Sequence, residues 1–287
     1  MIYLLLAAIC SITLLVVFKL FHKYEINANQ AIIFNYISCV ITGCITAGDI
    51  PFESSMIFED WFPLILTLGF VFFYGFNIIA YTVRFYSLAV TTVCQKMSLA
   101  FSAGFAIWYY SESYVYYNLI GIAFAAISVI LINYDPKSSD QVEIKKSKVI
   151  YLLPLIVLAM STFIEIALQY LHKIHEIPPF KEATILFGAA AFIGINVLAY
   201  RVLIKKVPFS VKSMISGLLL GVPNYFSIYF VLLALQEING NIVFSVNNIA
   251  TVVGSTMIGL FYFREKVSGI NFAGIALAVI AVLMILL

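Results

Sequence analysis

Along the chain, long apolar runs alternate with short polar breaks. Ten runs approach the length of about 20 residues that a helix needs to cross a ~30 Å hydrocarbon core. They cover 2–20, 31–47, 62–83, 88–109, 114–133, 149–171, 183–203, 212–235, 241–263 and 268–287. The runs lack the alternating polarity of barrel strands, and in lipid a helix satisfies every backbone group within its own segment. The pattern therefore predicts an all-α membrane protein with ten transmembrane helices. The long polar stretch at 135–148, with PKSSDQVEIKKSK at its centre, divides the helices five and five. It predicts a first five-helix repeat over 1–134, a polar linker over 135–148 and a second repeat over 149–287. Because five is odd, the second repeat is expected to sit inverted in the membrane.

Composition strengthens this picture. Of 287 residues, 63% are hydrophobic and 10% charged, and the mean hydropathy is +1.05. A soluble domain needs far more polar surface. The first run lacks a basic leader and is long enough to be a first membrane helix instead of a signal peptide. Cys10, Cys39, Cys44 and Cys94 all lie in apolar runs without C-x-x-C spacing, so they read as packing residues, not as a disulfide or metal set. The net charge of +2 is too small to suggest nucleic acid. The chain has no Gly-rich phosphate loop ending in Lys-Ser/Thr, which excludes ATP drive within it. No cofactor or metal is expected. The expected partners are a small-molecule solute and membrane lipid, with the chain a monomer or homodimer.

Charge placement predicts an orientation. Lys19, Lys23, Arg84, Lys137, Lys145, Lys146, Lys148, Arg201, Lys205, Lys206, Lys212, Arg264 and Lys266 all fall in odd-numbered loops. The even loops hold only Lys173 and Lys181, and the first of them carries Asp49, Glu53, Glu59 and Asp60. The positive-inside rule then puts the odd loops in the cytoplasm and both termini outside.

The halves also match residue by residue. Glu112 and Glu265 lie 153 residues apart, as do Gly121 and Gly274. Carried upstream, the same offset sets Thr92 on Ser245, Gln95 on Asn248, Ser98 on Thr251 and Ser102 on Ser255. Spacings of three and four keep each set on one helical face. Taken singly, such residues read as interhelical glue. As a matched stripe they read as the lining of a midplane cavity between inverted repeats. All eight are therefore candidate solute-binding residues. Glu112 and Glu265, at helix ends, read as structural partners of helix N-termini.

Two ionisable residues lie deep in helices, which marks them as functional candidates. At 1.5 Å per residue, Lys96 is about 12 Å from the start of helix four and Glu165 about 9 Å from the end of helix six. Across a ~30 Å core, roughly 9 Å separates their backbones along the membrane normal. Three readings stand open: a structural ion pair, a snorkelling Lys96, or a working pair. In the last, Lys96 holds an anionic solute group and Glu165 takes up a proton. Further candidates are Asn224 and Tyr225 beside the helix-kinking Pro223, and Asn77 with Tyr81, four apart on helix three. Asn35 and Asn196 are weaker. His172, His175 and Glu176 lack the H-E-x-x-H arrangement and read as a solvated turn.

The stretch Gly254-Ser-Thr-Met-Ile-Gly259 through Phe263-Arg-Glu265-Lys-Val, then Phe272-Ala-Gly274-Ile275, resembles the closing helices of the EamA-like family of the drug/metabolite transporter superfamily. Tyr109-Tyr-Ser-Glu112 and Asn118-Leu-Ile-Gly121 repeat the pattern in the first half. The resemblance implies ten helices in two repeats and transport of a small solute. It also implies cytoplasmic termini, the opposite of the charge count. The Trp-Gly pair frequent in the family's first helix and the Pro of its helices four and nine are missing.

Together these readings predict a secondary transporter working by alternating access. A membrane scaffold or receptor is the alternative. An intramembrane enzyme is the weaker rival, because Glu165 is the one deep acid the sequence reveals.

Overall fold

A computed structural model describes residues 2–109, 116–134, 148–175, 177–237, 240–265 and 267–286. Among them every regular element is helical. The α-helices are α1 (Ile2–Lys23), α2 (Ala28–Ala47), α3 (Phe62–Phe85), α4 (Leu88–Lys96), α5 (Ser98–Tyr109) and α6 (Tyr116–Tyr134). They continue with α7 (Lys148–His175), α8 (Pro179–Ala199), α9 (Val211–Glu237), α10 (Gly240–Phe261) and α11 (Gly269–Leu286). Among the described residues, seven helical segments are long and apolar enough to cross a membrane: Ile2–Lys23, Ala28–Ala47, Phe62–Phe85, Ile150–Leu171, Pro179–Ile204, Val211–Glu237 and Val243–Phe261. Shorter apolar stretches lie in α6 and α11. This is the build of an integral membrane protein. Ile45, Phe192, Leu219 and Phe261 stay more than two-thirds exposed, as lipid-facing side chains do.

The helix boundaries follow from local chemistry. Asn27 caps α2, accepting from Gln30 N–H at 3.3 Å, and Ser87 caps α4, accepting from Val90 N–H at 3.1 Å. Pro63 and Pro179 sit in the first turns of α3 and α8, where no backbone donor is lost.

One expected element is different. The run at 88–109 is not a single helix but two, α4 and α5, broken at Met97 (φ −72°, ψ −7°). The ladder is interrupted because side chains compete for its carbonyls. Ser98 Oγ lies within hydrogen-bond reach of Gln95 O at 2.7 Å, and Asn248 Nδ2 of α10 donates to Lys96 O at 3.2 Å. α8 also starts earlier than the hydrophobic run at 183–203 suggests, at Pro179, which draws Glu182 into its first turn.

The seam of α2 against α9 is close. A methyl group on Gly217 would collide with the Ala31 carbonyl, and one on Gly221 with Asn35 and Ser38. Only glycine lets the two backbones come this close. Polar bonds fasten the seam: Ser38 Oγ donates to Leu218 O (2.8 Å) and Gln30 Nε2 to Pro208 O (2.8 Å).

The ends of the bundle sort by charge. At one end Lys19 pairs with Glu265 at 2.8 Å. There the Leu88 N–H at the start of α4 donates to both Glu265 oxygens at 2.9 Å. Glu265 therefore serves a helix N-terminus, as expected of its type, but that of α4 and not of the helix following it. Lys212 Nζ joins the same end by donating to Tyr24 O at 2.7 Å. At the opposite end Lys181 pairs with Glu53 at 2.9 Å, and this hydrogen bond holds the Glu53 carboxyl below its usual range. Glu112, Lys266 and the linker lysines Lys137, Lys145 and Lys146 lie outside the described residues, as do the side chains of Lys148, His172 and His175, and Glu176.

Candidate functional site

A cavity of about 140 Å³ opens in the middle of the bundle, walled by α1, α3, α4, α7, α9 and α10. One wall is apolar and aromatic, with Leu14, Leu15 and Phe18 from α1 and Phe72, Phe76 and Ile79 from α3. Gln95 and Lys96 of α4, Ser161 and Glu165 of α7, Asn224 and Ser227 of α9, and Asn247 and Asn248 of α10 supply the polar wall.

Lys96 and Glu165 meet in this cavity. Among the described residues, Lys96 Nζ has no hydrogen-bond or ion-pair partner, although the Glu165 charge is near enough to act on it. Glu165 is held differently. Ser98 Oγ donates to its Oε1 at 2.6 Å and Ser102 Oγ to its Oε2 at 2.9 Å. The break at Met97 puts Ser98 at the first position of α5, and Ser102 follows one turn later on the same face. Each hydroxyl also has a backbone acceptor in reach, Gln95 O at 2.7 Å for Ser98 and Leu99 O at 3.1 Å for Ser102.

The predicted stripe therefore divides. Gln95, Lys96 and Asn248 line the cavity, while Ser98 and Ser102 sit behind Glu165 as its donors. Thr92, Thr251 and Ser255 are fully buried, and their hydroxyls bond their own helices at Leu88 O, Asn247 O and Val252 O. Ser245 is buried with no partner for its hydroxyl among the described residues. These four do not line the cavity. Asn224 does, and its Nδ2 donates to Asn35 Oδ1 at 3.2 Å. Tyr225 points instead into a ring cluster with Phe187, Phe226 and Tyr229. Asn77 bonds Phe73 O at 2.8 Å within α3. Tyr81 is 47% exposed on the outer face, against Phe85, and Asn196 is also exposed.

Sequence reasoning missed Ser161, Ser227 and Asn247. Ser161 precedes Glu165 by four residues and Ser227 follows Asn224 by three, so helical spacing from the chosen residues reaches both. It also missed Glu182. This residue is fully buried, and neither carboxylate oxygen has a hydrogen-bond partner among the described residues. It lies outside the cavity lining. Its signal was Pro178-Pro179, which starts the helix early enough to carry it inward.

No family model matches the chain. An uncharacterized protein of Haemophilus influenzae is 27% identical over 291 residues, which span 97% of this chain and 95% of that protein. A crystal structure, described only as that of a protein, is similar at a TM-score of 0.61 with 13% identity, covering 97% of this chain and 96% of the other. That likeness bears on the fold alone.

Proposed function

We propose that this protein is a secondary transporter that moves a small metabolite or drug-like solute across the cytoplasmic membrane by alternating access, coupled to a proton at Glu165. The observation that carries the reading is the central cavity, with an ionisable pair on its polar wall facing an apolar wall. On this reading α4 and α5 count as one crossing, α6 and α11 cross as well, and ten spans form two inverted five-helix repeats. The helix contacts support that division, because they largely keep their pattern when the halves are exchanged. α2–α9 corresponds to α3–α8, α1–α9 to α3–α7, and α1–α10 to the packing of α4 and α5 on α7. The cavity takes three crossings from each half, as inverted repeats arrange a midplane site.

The reading also takes the chain to be an EamA-like member of the drug/metabolite transporter superfamily, on the motif around Glu265. It places the end holding Lys19, Lys212 and Glu265 in the cytoplasm and both termini outside, in accord with the excess of Lys and Arg in the odd loops. A scaffold has no need of an ammonium that faces an internal cavity without an ion-pair partner among the described residues.

The test is transport in vesicles under an imposed pH gradient, with solutes chosen by a thermal-stability screen of the purified protein against metabolite pools. Wild-type transport is expected to respond to the gradient and Glu165→Gln transport is not. Unaltered pH dependence in the variant rules out the coupling role.

A further inference from the structure

The cavity wall is a mould of unmet chemistry. Lys96 offers an ammonium with no ion-pair partner among the described residues. Asn224 and Asn247 are 0% and 4% exposed, and the Oδ1 of each has no hydrogen-bond partner among the described residues. Both belong to the lining. A buried acceptor left unpaired costs stability until something donates to it. Facing these groups, Phe18, Phe72 and Phe76 give an apolar, aromatic surface. An occupant that satisfies all of this carries an anionic group for Lys96, a neighbouring N–H or O–H donor for the asparagines, and an apolar body for the aromatic wall.

We infer that the solute is a small amphipathic carboxylate with a hydrogen-bond donor beside its acid group, and that it is bound together with one proton on Glu165. This rests on the transporter reading of the same cavity. Lys96 and Glu165 are the only ionisable residues in the described lining. α1, α3, α9 and α10 contribute none. An anion seated on Lys96 therefore replaces Glu165 as its counter-charge and repels the Glu165 carboxylate in a medium of low dielectric. Proton uptake removes the repulsion. The proton is given up by a buffer acid in the bulk solution and joins a carboxylate oxygen of Glu165, leaving the buffer base in solution.

The serines make both states tolerable. When Glu165 is charged, the two hydroxyls donate to it. When it is protonated, the hydroxyl facing the protonated oxygen turns to its own backbone acceptor, Gln95 O for Ser98 or Leu99 O for Ser102, and accepts from the acid, while the other serine goes on donating to the carbonyl oxygen. Anion and proton thus favour each other's binding reciprocally, and the complex crosses the membrane with no added charge.

The test is calorimetric titration of the full-length protein in detergent with 3-phenyllactate and with its neutral amide. Each titration is repeated in buffers of different ionisation enthalpy between about pH 5 and 9, a range set by linkage. Phenyllactate is expected to bind at least roughly tenfold more tightly than the amide, as one charge-assisted contact requires. Its binding should take up protons, approaching one per anion at the best pH. Lys96→Met should lose the preference for the acid, Lys96→Arg should restore part of it, and Glu165→Gln should bind without proton uptake. Equal affinity for acid and amide, absence of binding by the acid, or zero uptake throughout would each overturn the inference. The acid–amide comparison uses wild-type protein and does not depend on any variant folding. If binding and uptake occur but vesicles show no transport, the transporter reading fails and the site assignment stands.

Discussion

Glu165 and Glu182 are two carboxylates carried into the bundle by helices consecutive in sequence, and they are treated in opposite ways. Glu165 looks into a cavity, receives two serine hydroxyls and lies near an ammonium. Glu182 is packed in the first turn of α8, with neither oxygen paired among the described residues. Burial alone is common to both. Donors that work with either protonation state, and a space through which a proton and a solute can arrive, belong to Glu165 only. On the transporter reading, that difference separates a working acid from one that is only buried.

The strongest way to break the contrast is Glu165→Gln, which should remove pH-dependent transport in vesicles while the same exchange at Glu182 preserves it. Next, Ser98→Ala with Ser102→Ala should lower stability. Each lost donor to a buried carboxylate costs about 1–3 kcal/mol, read as a drop in Tm, and the pH profile of transport should change with it. A smaller effect is expected at Glu182→Gln. Removing an ionisable group that has no partner should leave stability within about 1 kcal/mol of wild type, on the stabilising side. A Tm fall of many degrees would reveal a partner for Glu182 instead. The least effect belongs to Ser255→Ala, within about 0.5 kcal/mol. Ser255 holds the stripe position matched to Ser102 but bonds only Val252 O of its own helix, so its loss should leave the pH profile intact.

Much of this was legible in the sequence, and the parts that were not have physical reasons. Hydropathy located the helices because lipid leaves the backbone little choice. Lys96 and Glu165 stood out because a charge inside an apolar run is costly. The break at Met97 was hidden, since it depends in part on Asn248 capturing the Lys96 carbonyl across a packing contact the sequence does not display. The 153-residue offset matched Ser102 with Ser255 and Thr92 with Ser245 by type. It gave no sign that only the Ser98–Ser102 pair faces a carboxylate. Glu182 was lost to a boundary four residues off. Tyr225 was misjudged because neighbours in sequence, such as Asn224 and Tyr225, point about 100° apart around a helix, one to the cavity and one to the ring cluster.

Alternating access is tested most directly by labelling the cavity from each side. With Cys10, Cys39, Cys44 and Cys94 replaced by alanine, a single cysteine introduced as Ser161→Cys places one thiol on the cavity wall. Right-side-out and inside-out vesicles are then treated with a membrane-impermeant maleimide. Labelling is expected in both preparations, with the balance between them shifted by a bound solute. Labelling from one side only, unchanged by any solute, would contradict a transporter that opens its central cavity to each side in turn.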